Sequence, residues 1–441
     1  MAGALTERAD ALSWGRYPRA RQTMIRCHDR HAALPVTEHF LLPHGNGRSY
    51  GDSCLNDGGA LLQTRGLDRF IAFDPKTGVL RCEAGVLLSE ILELIVPQGW
   101  FLPVTPGTQF VTVGGAIAND MHGKNHHRAG TFGTMVRSFE LLRTDGSRRR
   151  CSPTENPDWF AATVGGLGLT GLITWAEIQL RRVANPWLAS ETIRFGNLDE
   201  FFTVSAASDR DYEYTVAWLD CASRGAALGQ GLFMRGNHAL ALCAARPRPP
   251  TGRLNVPFTP PFSLINRWSL RAFNTLYYHR QWREITCWIV HYAPFFYPLD
   301  RVLAWNRIYG RHGFLQYQCA IPQVHGHAAV REVLERIARS GLGSFLAVLK
   351  IFGEIPAVGW LSFPRPGVTL ALDFPNRDPA TFKLLDALDT VVAMTGGAVY
   401  PAKDARMSGA RFREFFPQWH HFSEYIDLRF SSSFWRRVMR D

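Results

Sequence analysis

Residues 103–133, PVTPGTQFVTVGGAIANDMHGKNHHRAGTFG, combine glycines at 107, 114, 115, 123, 130 and 133 with His122, Lys124, His126, His127 and Arg128. Glycine lets backbone amides approach a ligand closely and take positive φ. Amides gathered this way, often at a helix start, form an anion site. The stretch reads as a diphosphate cradle, with a small-residue helix from about Gly114 aimed at a phosphate, running into a cluster of proton-handling side chains. A loop with a charged tip is the alternative, and two further glycine-rich stretches weigh against it. These are His44-Gly45-Asn46-Gly47-Arg48-Ser49-Tyr50-Gly51-Asp52-Ser53 and Val164-Gly165-Gly166-Leu167-Gly168-Leu169-Thr170-Gly171. Neither has the strand, G-x-G-x-x-G, helix and acidic residue of a Rossmann site, and neither is a P-loop. Three cradles suggest a large diphosphate cofactor held by several loops. Near the C-terminus, Lys403-Asp404 reads by spacing alone as a surface pair.

The elements that must position these residues form an α+β pattern. Short strand-like runs fall at 40–42, 60–63, 69–73 and 79–82, and 88–95 has the apolar spacing of an amphipathic helix ended by Gly99. Asp145-Gly146 joins two strand-like runs as a hairpin, Asn156-Pro157 starts a helix, and 173–180 closes the unit as a strand. Strands are also expected at 213–219, 314–321 and 368–374, and a helix at 329–340.

A chain of 441 residues suggests two domains. The first domain is expected to end near Arg182 to Pro186. Net charge of +11 points to an anionic partner, phosphate or a membrane surface. Zinc spacing, basic helices and RNA-binding signatures are missing, so neither metal nor nucleic acid is expected. Eight scattered cysteines without C-x-x-C fit reduced thiols. The first residues lack a secretory apolar core and no run approaches a membrane span, so a cytoplasmic protein is expected. Between Asp220 and Glu284 there is no acidic residue, while arginines, prolines and aromatics crowd 224–285. That segment reads as a mobile basic insertion that contacts anionic lipid or guides a lipid phosphate.

Together, HGNGRSYGDS (44–53), TPGTQFVTVGGAIANDMHGKNHH (105–127), NPDWFAATVGGLGLTG (156–171), FLQYQ (314–318), DFP (373–375) and YPAKDAR (400–406) resemble the decaprenylphosphoryl-ribose 2′-oxidase group of the vanillyl-alcohol-oxidase (VAO/PCMH) type of FAD flavoproteins. The resemblance runs in order from about residue 15 to 435. It implies an antiparallel-sheet substrate domain, 187–397, inserted into an FAD domain made of 1–186 and completed by 398–441, with non-covalent FAD. The cofactor would be held by Gly45, Asn46, Gly47, Arg48, Ser49, Tyr50, Gly51, Asp52, Ser53, Gly107, Thr112, Val113, Gly114, Gly115, Asn119, Met121, His122, Gly123, Lys124, Ile173 and Tyr400.

The implied reaction oxidises the 2′-hydroxyl of a polyprenylphosphoryl ribose to a ketone. A separate NADH-dependent ketoreductase would then complete epimerisation to an arabinose donor for cell-wall polysaccharide, and the enzyme would sit peripherally on the plasma membrane. His122, with an ordinary pKa near neutrality, is a candidate proton handler. Lys403 and Lys124 are candidates for phosphate binding, alkoxide stabilisation or the base, and the sequence does not choose among the three. Tyr50, Trp218, Tyr297, Gln316, Gln318, Leu346, Lys350, Ala371 and Lys403 match substrate-pocket positions. Mycobacterial members carry a cysteine where this chain has Ala371, which removes a pocket thiol. Two other readings are an FAD enzyme acting on a soluble sugar or aldonolactone, and a flavin-free membrane-surface scaffold.

Overall fold

Three β-sheets carry the structure, a computed structural model that describes residues 6–7, 11–240 and 254–440. The first is mostly parallel: Thr23–Arg26 and Leu41–His44 flank Ala60–Gln63. Its strands are short and almost wholly buried, as parallel strands covered on both faces must be. The second is antiparallel, in the order Phe70–Asp74, Val79–Glu83, Leu172–Gln179, Val136–Leu142, Arg148–Cys151. Its hairpin turns at Asp145-Gly146, with Gly146 at φ 82° and the Arg143 amide donating to Ser147 at 3.0 Å. The helix Leu88–Ile95 buries Leu88, Ile91, Leu92 and Ile95, one stripe at helical spacing.

The third sheet has eight strands: Ile285–His291, Trp187–Phe195, Gly231–His238, Tyr214–Leu219, Val348–Phe352, Gly367–Pro375, Phe314–Ile321 and Ala398–Val399. Every neighbouring pair is antiparallel. Apolar residues of one face, such as Leu315, Tyr317, Cys319, Leu370 and Leu372, pack with the helices Gln323–Ser340 and Ala380–Met394 in one core. That core also takes in Met24, Leu42 and Leu61 of the first sheet and Phe412 and Phe434 near the C-terminus.

Three elements differ from the sequence reading. The helix expected at 329–340 starts at Gln323, because Gly326 does not break it. Gly326 sits where the helix crosses the sheet, and a Cβ there would lie 2.5 Å from Val368 Cγ2. The first sheet is parallel, which isolated short runs do not reveal. The insertion expected at about 224–285 includes a strand and a helix among its described residues. Gly231–His238 is an interior strand, and Arg267–His279 is a helix whose start is capped by the Asn266 side chain. Residues 241–253, with Arg246, Arg248, Arg253 and the prolines at 247, 249 and 250, lie outside the described residues. Among the described residues, cysteines 27, 54, 82, 151, 221, 287 and 319 are free, and no helix is long and apolar enough to cross a membrane.

Candidate active site

Sheet register assembles the predicted substrate residues. Trp218 lies opposite Val348, Val348 opposite Ala371, and Ala371 opposite Gln318, a single row across four strands. Two residues along in either direction, side chains return to the same face. That brings Gln316 opposite Asp373 in one row, and Lys350 opposite Thr369 in the other. Gln316 Nε2 donates to Asp373 Oδ1 at 2.5 Å, and Gln318 Nε2 to Thr369 Oγ1 at 3.2 Å. The alternation in FLQYQ and LALDF thus gives one face an apolar core and the other a polar floor.

His122 hangs over this floor. Its Nδ1 lies 2.9 Å from Lys350 Nζ and its Nε2 2.9 Å from Gln318 Nε2. Lys350 also donates to the Gly123 carbonyl at 2.9 Å. A neutral imidazole offers one donor and one acceptor, so one of the two partners must accept. Burial, then the nearby Lys124 and Lys403, push Lys350 down to about 7, where an uncharged amine accepts from Nδ1–H. Burial, then Lys350, hold His122 well below the usual imidazole range. The loop is fixed from behind by Asp120, fully buried, which accepts from the Gly133 amide at 2.9 Å and Ser362 Oγ at 2.5 Å. Sequence reading passed over Asp120, Asp373 and Thr369; the first is a buried acid inside a cationic motif, a signal that was present.

Lys403 arrives from the C-terminal segment and is no surface pair. The Tyr50 amide donates to the Ala402 carbonyl at 3.0 Å, the Tyr400 hydroxyl to Asn119 at 2.6 Å and the Tyr400 amide to Gln318 at 2.9 Å. Lys403 Nζ then sits 3.9 Å from the centre of the Tyr50 ring. Burial lowers its pKa and raises that of Asp373, and the two opposite charges moderate each other. Asp404 turns away to Arg437, which bridges it at 2.9 Å and Asp52 at 2.7 Å.

The glycine loops divide their labour differently from the expectation. The short helix Val113–Ala118 does not present free donors at its start. The amides of Val113 and Gly114 donate to Val86 and Ala84, and that of Gly115 to Thr112 Oγ1 at 3.1 Å. The third loop is a structural clamp: Gly165 and Leu167 amides donate to Ile117 and Ala118, closing that helix's far end. The first loop is the one that keeps its donors free. Among the described residues, the amides of Asn46, Gly47, Arg48 and Ser49 find no protein acceptor, and Ser53 Oγ is buried without a partner. Gly47 holds φ 59°, the turn that lets successive amides converge. The loop is held against its neighbours by Asn46 Nδ2 donating to Phe110 at 2.8 Å, and by contacts too close for side chains: a Cβ on Gly45 would lie 2.4 Å from Thr112 Oγ1, and one on Gly51 would lie 1.5 Å from the Asp404 carbonyl. Unspent donors beside a polar floor fit the diphosphate and ring system of FAD.

Other predicted residues lie further out. Ile173 is buried in the same core as Val113 and Ile117. Lys124 Nζ donates to the Phe295 carbonyl and lies over the Phe295 ring, with its pKa pushed down to about 7 by burial. Tyr297 is buried, its hydroxyl 2.5 Å from Thr105 Oγ1, and Trp218 Nε1 donates to Phe345 at 2.8 Å. Leu346 is half-buried against the cluster of Trp305, Tyr309 and Phe314.

Comparison with known proteins agrees with this architecture. A family model described as FAD binding domain matches residues 33–152. The chain is 36% identical to decaprenylphosphoryl-β-D-ribose oxidase of Mycolicibacterium smegmatis over 401 residues, 88% of this chain and 85% of that protein. It is 35% identical to an uncharacterized protein in the mprA 5′ region of Streptomyces coelicolor, over 77% of this chain and 94% of that one. Mouse L-gulonolactone oxidase matches at 30% over 137 residues, 31% of this chain and 30% of the other. A polar sheet face, an amide cradle and an identity that spans both make the chain a member of the decaprenylphosphoryl-β-D-ribose oxidase family of FAD-dependent oxidoreductases.

Proposed function

We propose that the protein oxidises the 2′-hydroxyl of a polyprenylphosphoryl-β-D-ribose to the 2′-ketone, the first half of an epimerisation to an arabinose donor for cell-wall polysaccharide. The observation that carries this reading is the single polar sheet face on which Gln316, Gln318, Lys350 and Asp373 meet His122 and Lys403. The chain divides in this reading into an FAD part, 1–186 with 398–441, and a substrate part, 187–397. Bound non-covalently, FAD supplies the two-electron acceptor. Residues 46–49 would hold its diphosphate with their unspent amides. His122, pinned at both ring nitrogens by Lys350 and Gln318, forms a fixed wall against which the carbinol is oriented. Lys403, buried and tilted towards its neutral form, takes the hydroxyl proton. Lys350 fixes the imidazole tautomer.

The keto sugar must be reduced by a separate NADH-dependent ketoreductase to complete the inversion, and the lipid substrate places the enzyme peripherally at the cytoplasmic face of the membrane. Anaerobic addition of farnesylphosphoryl ribose to the purified flavoprotein tests the reading. Flavin absorbance bleaches with that compound and not with free ribose or gulonolactone. Bleaching by the free sugar or lactone alone would instead favour a soluble substrate, the alternative that the partial likeness to L-gulonolactone oxidase supports.

A further inference from the structure

More than half of the large apolar side chains left exposed among the described residues fall between 254 and 288. The helix Arg267–His279 shows why this is not ordinary scatter. Its inner seam is narrow: Leu270, Asn274 and Tyr278 are buried, with Asn274 Nδ2 donating to Asp220 Oδ1 at 2.6 Å and Tyr278 to the Phe195 carbonyl. Trp268, Ala272 and Leu276, spaced by four, form a second stripe on its outer side. Trp268 is 68% exposed and Leu276 73%. Also exposed on neighbouring segments are Trp282 (75%), Trp288 (63%) on Ile285–His291, the edge strand of the large sheet, and Phe258 and Phe262 of the preceding loop. Soluble surfaces seldom leave so much apolar area together.

Arginines rim it. Arg267, Arg271, Arg280 and Arg283 are exposed, with Arg267 and Arg283 over the rings of Trp268 and Trp282. No carboxylate occurs in the sequence between Asp220 and Glu284. Apolar and aromatic side chains ringed by unopposed cations complement an anionic lipid interface, where indoles settle at headgroup depth. A protein partner would need its own acidic rim around an apolar centre; a bilayer supplies both.

From this face an unbroken run of rings leads inward. Phe273 meets Phe345 at 5.5 Å, Phe345 meets Tyr309 at 6.0 Å, Tyr309 stacks on Phe314 at 4.2 Å, and Phe314 meets Tyr50, over which Lys403 lies. Tyr277, on the same helix, lies 4.6 Å from Trp218.

We propose that Arg267–His279, with the flanking 258–264 loop and edge strand, is an interfacial element that seats the protein on an anionic bilayer and lets a polyprenyl chain pass from the bilayer along the aromatic run. The second clause rests on the lipid-phosphate substrate proposed above; the first does not.

The test uses the full-length FAD-loaded protein, co-sedimented with vesicles of phosphatidylglycerol and phosphatidylcholine, or of phosphatidylcholine alone, without substrate. Wild type pellets with the anionic vesicles, and W268S/L276S and R267Q/R271Q each lose at least tenfold in partitioning with unchanged melting midpoints. Both variants retain wild-type bleaching by soluble farnesylphosphoryl ribose, but W268S/L276S slows bleaching by a long-chain substrate presented in vesicles. Equal partitioning of variants and wild type overturns the proposal. So does a wild-type protein that ignores vesicles and forms a concentration-dependent dimer lost in W268S/L276S, which would assign the face to a second copy. Vesicle binding by a protein that no ribose substrate bleaches would leave the docking surface standing and sink the substrate reading.

Discussion

His122, Lys350, Lys403 and Asp373 share a pocket that only mutual contact makes tenable. Each is desolvated, and three can carry positive charge, so protonation is costly. Replacing Lys403 by Met removes the proposed base: flavin bleaching by farnesylphosphoryl ribose should fall on the order of 10²–10⁴-fold, with the alkaline rise of the wild-type pH profile abolished. A rise that persisted in K403M would transfer the role to another buried amine, Lys350 or Lys124, each pushed down to about 7 chiefly by burial. Lys350 makes a separate thermodynamic prediction. Its pKa drops from 10.5 to about 7 on folding, so between those values the unfolded chain holds the extra proton, and stability of the flavin-free protein rises with pH across that window. Below it the charged amine is a fixed penalty. The K350M protein should therefore show a flatter midpoint-against-pH curve from pH 7 to 10; parallel curves would contradict the buried placement. Of these residues, His122 and Lys403 stood out in the sequence by type and neighbourhood. Asp373 and Thr369 did not, because a polar residue on an alternating strand looks the same whether its face meets solvent or a site.

At the level of elements, the proposed diphosphate binding rests on the backbone conformation of the loop 45–51. Gly47 at φ 59° is the one residue whose replacement separates conformation from chemistry. Alanine there costs about 1 kcal/mol of strain and should weaken FAD at least several-fold by turning the amides of Asn46 to Ser49 apart; flavin fluorescence on dilution measures it. Unchanged affinity in a folded G47A protein would move the diphosphate elsewhere. In the sequence this loop reads as a cradle, and so do two others whose amides are in part spent within the protein. What distinguishes them is where their amides go: the start of Val113–Ala118 donates to Ala84, Val86 and Thr112, and the third loop to Ile117 and Ala118. Those acceptors are contributed by segments folded against them, and spacing carries no trace of that.

Across the whole molecule, the two ends of the chain must meet for the site to exist. Arg437 ties Asp52 of the cradle loop to Asp404 beside Lys403, with both carboxylates almost fully buried. Removing one partner of such a group strands two buried charges, at a cost of about 3–5 kcal/mol. An R437M protein should melt several degrees lower and lose flavin ahead of unfolding; retention of flavin up to an unchanged midpoint would show that the ends are held otherwise. The family's extent along the chain was legible because its motifs occur in order, while the eight-stranded sheet that unites 214–219 with 398–399 was not, its pairings reaching as far along the chain as Ala217 with Leu349.

The account stands most directly on which carbon loses its hydrogen. Farnesylphosphoryl ribose deuterated at C2′, mixed anaerobically with the holoenzyme in a stopped-flow spectrophotometer, should bleach the flavin several-fold more slowly than the protiated compound, whereas deuterium at C3′ should have no such effect. A slowing that followed the C3′ label, or neither label with chemistry shown to limit the rate, would contradict oxidation at the 2′-hydroxyl.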